Sequence, residues 1–144
     1  MQKILCFVIA GLAGLVLAEG TVVETKTMFS SPAKYELAWT ASTNGIVSQT
    51  TTFYVRGELA RVVFGGGTTP NTIYVTLKDT AGVDVLAGQG IALVSNVVVS
   101  VVPGLMSTDG VQSNTVPFVV NDLLTLSVTN AGSLKTGNVI LYVK

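Results

Sequence analysis

Asp79 and Asp84 lie five residues apart across a short polar stretch that also holds Thr80 and Gly82. Two such carboxylates can hold calcium with the help of backbone carbonyls, but this spacing does not match the helix-loop-helix calcium loop. The simpler chemistry is turn capping, in which the Asp79 side chain accepts a backbone N–H. Asp109-Gly110 and Asn121-Asp122 read the same way. Serine and threonine abound, yet a hydroxyl nucleophile needs a positioned base and the chain has no histidine. Lys34, Lys78 and Lys135 fall on expected polar strand faces or loops, where an ammonium stays solvated. Arg56 and Arg61 are expected to pair with Glu58 or Glu36 across strands, or else to contact a neighbouring subunit. The Gly65-Gly66-Gly67 run lacks a following lysine and helix, so it reads as a loop and not a phosphate cradle. No catalytic, cofactor-binding or metal-ligating set emerges, and the expectation is a non-enzymatic protein.

Composition narrows the partners. The 144 residues suit one domain. Apolar residues make up 49% and charged residues only 11%, so Ser, Thr, Asn, Gln and Gly must cover the surface. Eight basic groups balance eight acidic ones, which gives no electrostatic pull toward nucleic acid or anionic lipid. A neutral β-rich surface does little to keep copies apart, so self-association is expected. The single cysteine, Cys6, leaves the rest of the chain no disulfide framework.

Residues 1–18 carry Lys3 and then an apolar run from Ile4 to Ala18, ending Val16-Leu17-Ala18 before Glu19. This order is that of a secretory signal, and the run is short for a membrane span. A helix-like signal peptide or apolar anchor is expected there, with membrane contact only through residues 1–18 if they are retained.

From residue 21 to 144 the hydrophobic period is two. Tyr35, Leu37 and Trp39 alternate with Lys34, Glu36 and Thr40, the pattern of a strand with one wet face, and Trp39 is the candidate core anchor. Asn44-Gly45 suggests a hairpin joining Lys34–Thr43 to Ile46–Val55. Asp79 to Gly82 suggests another, between Thr72–Lys78 and Val83–Leu86. Val97 to Val102 is β-branched on both faces and must be covered twice or pair with another chain, so Val97, Val98, Val99, Val101 and Val102 are the candidate interface. Alternation at Leu124, Leu126 and Val128, and at Val139, Leu141 and Val143, closes a set of eight to ten short strands. The expected fold is all-β, a single β-sandwich of which the jelly roll is one form. Its C-terminal strand is read as integral.

Several segments carry a resemblance: Thr21-Val22-Val23-Glu24-Thr25-Lys26, Ala38-Trp39-Thr40, Tyr74 through Leu86, Leu124 through Gly132, and Lys135 through Val143. Together they resemble small all-β proteins encoded among the virion genes of tailed bacteriophages and prophages. The resemblance implies a virion-associated structural role, such as capsid decoration or a tail component, and brings no catalytic residue.

The function expected is assembly through β-sheet edges. The partners would be further copies of the chain, as a trimer for example, and other virion proteins. The apolar leader favours a different setting, an exported β-sandwich subunit of a cell-surface filament or layer. A secreted carbohydrate- or ligand-binding module would instead use Trp39 and Tyr74 as a stacking platform.

Overall fold

An extended chain that alternates apolar and polar residues can bury one side and wet the other. The computed structural model resolves this alternation into strands paired antiparallel throughout, and it describes residues 19–28, 32–65, 72–90, 93, 98–105 and 116–144. The leader at 1–18, Val97, Gly66-Gly67 and Asp109-Gly110 lie outside the described residues. In chain order the strands are β1 (Thr21–Thr27), β2 (Ala33–Thr40), β3 (Val47–Thr50), β4 (Val55–Gly65), β5 (Tyr74–Lys78), β6 (Val99–Val101), β7 (Gly104–Leu105), β8 (Val116–Pro117), β9 (Val119–Asp122), β10 (Thr125–Thr129) and β11 (Thr136–Val143). No helix occurs among the described residues.

Six strands form one sheet in the order β1-β2-β11-β4-β6, with β9 also paired to β4, and a second sheet runs β3-β10-β5. Leu37 and Trp39 of β2, Val139 and Leu141 of β11, and Leu59 and Val62 of β4 belong to the same buried cluster as Val47, Leu126, Val128, Val75 and Leu77 of the smaller sheet. Two antiparallel sheets sharing one apolar core make the chain a β-sandwich. Trp39 is 2% exposed, and its indole ring lies where a Cβ on Gly137 would collide with it at 2.4 Å. A side chain at position 137 would displace that ring. The C-terminal strand β11 sits between β2 and β4 in the larger sheet, which makes it integral.

The Asn44-Gly45 turn forms but joins sheets, not hairpin strands. Gly45 has φ 75° and donates its N–H to the Ser42 carbonyl, while the Ser42 N–H bonds to the Ile46 carbonyl. On leaving the turn, β3 pairs with β10, whereas β2 pairs with β1 and β11. The reason lies in the period of two. In a two-residue hairpin, Trp39 would stand opposite Thr50 and Val47 opposite Ser42, which puts Trp39 and Val47 on opposite faces. Burying both requires the chain to cross to the other layer, and both are buried. The second expected turn does fold back: Lys78 bridges Asp84, and the Val85 N–H donates to the Leu77 carbonyl at 2.8 Å.

β4 is the longest strand among the described residues, Val55–Gly65. Gly57 keeps it continuous at φ 128°, a conformation that disfavours any side chain. Val55 to Glu58 pair with β9, and Val62 to Phe64 pair with β6. Between them the Leu59 N–H donates to the Phe118 carbonyl, while the Glu58 N–H turns the other way to the Lys144 carbonyl. Strands β6 and β9 therefore share one edge of β4, opposite β11. A one-residue bulge at Ala60 separates the Leu59–Val143 and Arg61–Tyr142 pairs.

Candidate functional site

The Val97–Val102 run becomes the edge strand β6 and its flanks. Among the described residues β6 has one neighbour, β4, through the pairs Val62–Val101, Val63–Ser100 and Phe64–Val99. Val99 and Val101 are half-buried and pack on the core beside Val62 and Phe64. Alternation sends Val98, Ser100 and Val102 outward, with Val98 67% and Val102 65% exposed. Val119 on the neighbouring β9 stands opposite Glu58, faces the same way and is 72% exposed. The five candidate interface valines thus divide: Val99 and Val101 serve the core, Val98 and Val102 face solvent, and Val97 lies outside the described residues.

The other edges are closed to different degrees. On β5, the Ile73–Leu93 bridge, the Val75 N–H donated to the Gly90 carbonyl and the Leu77 N–H donated to Asp84 Oδ1 cover the outer side. On β1, the Gln49 side chain bonds the Val22 backbone. The Thr52 N–H and hydroxyl both donate to the Glu24 carboxylate at 3.0 Å, tying β1 to the segment after β3. In an antiparallel ladder alternate residues turn their backbone groups to the same side. Those of Glu24 and Lys26 therefore point outward with those of Val22, and no described backbone group pairs with them. Sequence reasoning did not find Gln49, because only the fold brings it to Val22.

The carboxylates are occupied by the backbone. Asp79 Oδ1 accepts the Val83 N–H at 2.8 Å, the expected turn cap. Asp84 accepts N–H groups from Leu77, Leu86 and Gly88, which closes its own turn. Asp122 accepts the Leu123 N–H and both the N–H and hydroxyl of Thr80, and these bonds hold its carboxyl below the usual range. No group of three or more metal-ligating side chains occurs among the described residues.

The arginine pairing read from sequence is corrected. Glu36 is taken by Lys34 Nζ at 2.7 Å and by Asn138 Nδ2 at 3.2 Å. Arg61 instead lies over the Tyr142 ring, 4.7 Å from its centroid, and Arg56 over the Tyr54 ring at 5.5 Å. The Trp39 stacking platform is also excluded, because that ring is interior.

A cleft with a volume of about 680 Å³ lies at the end of the sandwich where β1, β2 and β11 meet the start of β4. Its walls include Lys26, Tyr35, Tyr54, Arg56 and Lys144. The Lys26 ammonium sits 5.2 Å from the Tyr35 ring centroid and 6.0 Å from that of Phe53. Tyr35 and Phe53 in turn stack at 5.3 Å. Sequence reasoning did not find this site; Tyr54 and Arg56, two residues apart on an extended chain, are the signal that could have pointed to it.

No protein-family model, curated protein or solved structure matches the chain.

Proposed function

We propose that this chain is a non-enzymatic structural subunit that assembles through its sheet edges, with a capsid-decoration or similar virion role as the first reading. The observation that carries the proposal is the edge strand β6, which has one neighbour among the described residues, β4, while Val98, Val102 and nearby Val119 face solvent. Edges of this kind are normally blunted by charge, by proline or by a covering loop. The Val98–Val102 segment has no charged residue. The outward backbone groups of Glu24 and Lys26 offer a second place for strand addition. The partners are further copies of the chain, a trimer among the simplest closed forms, and other particle proteins; zero net charge gives no reason to include nucleic acid. The virion setting is supported by the strand and turn segments described above.

The apolar run at 4–18 favours a second setting, an exported subunit of a surface filament or layer using the same edges. Intact-mass measurement on the native protein separates the two. Chains that begin at Met1 and co-sediment with phage particles support the virion. Chains that begin near Glu19 in the culture medium reject it in favour of export.

A further inference from the structure

We infer that the cleft walled by Lys26, Tyr54 and Arg56 binds an acidic saccharide, a sugar ring bearing a carboxylate. Its volume of about 680 Å³ falls in the range of small-molecule sites. Lys26, Arg56 and Lys144 are among its lining residues, and no aspartate or glutamate is. On a chain of zero net charge this is a local concentration of cations. Neither Lys26 nor Arg56 meets an acidic group among the described residues; each leans on aromatic rings instead. An anion entering the cleft therefore displaces no existing ion pair.

The donors suit a carboxylate, and the lining between them favours one carried on a sugar ring over an inorganic oxyanion. A guanidinium offers two parallel N–H groups to the two oxygens of a carboxylate. Stacking on Tyr54 already orients Arg56, so less freedom is lost on binding. The opposite wall is fixed as well, since the Lys144 N–H and carbonyl exchange 2.9 Å hydrogen bonds with Glu58. Between the cations the lining is apolar, from Met28, Ala33, Tyr35 and Val143, and Tyr54 is half exposed. The C–H face of a pyranose can lie on such a surface while its carboxylate reaches Arg56 and Lys26. An inorganic anion would use the cations and leave that surface wet.

The test is a titration of the full chain followed by amide NMR and calorimetry, with tetragalacturonate, maltotetraose and sodium sulfate as probes. Tetragalacturonate is expected to bind with shifts centred on Lys26, Tyr54 and Arg56 and to weaken as salt rises. Maltotetraose and sulfate should bind at least tenfold more weakly. Arg56→Gln and Lys26→Gln should each weaken tetragalacturonate tenfold or more with the thermal midpoint little changed, while Lys78→Gln, outside the cleft, should bind as the parent does. Absent binding, equal binding of sulfate or maltotetraose, or undiminished binding by Arg56→Gln overturns the inference.

Discussion

The side-chain amide of Gln49 lies along Val22 as one residue of a neighbouring strand would. Its Oε1 accepts the Val22 N–H at 2.9 Å and its Nε2 donates to the Val22 carbonyl at 3.5 Å. A side chain from the smaller sheet thus closes part of the β1 edge, and beyond it the outward backbone groups of Glu24 and Lys26 meet no backbone partner among the described residues.

Gln49→Ala should uncover both Val22 groups. Loss of the shorter bond is expected to lower stability by about 1 kcal/mol in urea unfolding. Because the edge gains open backbone groups, light scattering should also show more self-association than in the parent.

Glycine substitutions separate conformational strain from collision. At Gly57 the φ is 128° and an added Cβ would meet the Lys144 carbonyl oxygen at 2.1 Å, so Gly57→Ala must push β4 and the end of β11 apart. A loss on the order of 3 kcal/mol is expected in chemical denaturation. Gly82 has φ 83° but nothing within 4 Å of the added atom. Gly82→Ala should cost only about 1 kcal/mol, the strain of a positive φ alone.

Acid should weaken the fold through two carboxylates. The Thr80 hydroxyl and N–H hold Asp122 below its ordinary pKa, and Lys34 with Asn138 does the same for Glu36. A depressed folded pKa means that the stabilisation is complete above the unfolded values, roughly 4. It is lost as pH falls through the lower folded values. Lys34, raised chiefly by its bond to Glu36, works in the opposite sense, contributing below the unfolded lysine pKa of about 10.4 and failing as pH rises through the folded one. Thermal midpoints measured across pH should therefore decline at both ends. Asp122→Asn should flatten the acid limb, and Lys34→Gln the alkaline limb.

Strand identity was legible where one face is apolar, as at Tyr35-Leu37-Trp39 and Val139-Leu141-Val143, because the period of two records burial directly. Which strand pairs with which was not. Asn44-Gly45 specifies a tight turn, but whether the chain folds back or crosses layers depends on Trp39 and Val47 both reaching the core. The valine run was recognisable as unusual, yet the share taken by the core became visible only when β4 set Val99 and Val101 opposite Phe64 and Val62. The cleft was least legible, since Lys26, the Tyr54–Arg56 pair and Lys144 come from distant parts of the chain and meet only at the end of the sandwich.

Assembly through the β6 edge is tested most directly by light scattering on the parent chain and on Val98→Lys/Val102→Lys. Both valines face solvent, so the double variant should remain folded. Val99→Lys, by contrast, would press a charge against the core at a cost of several kcal/mol and should unfold the domain. The edge reading predicts a parent of defined multiple mass and a folded monomer for the double variant. A parent that stays monomeric at high concentration, or a double variant with the parent's mass, contradicts it.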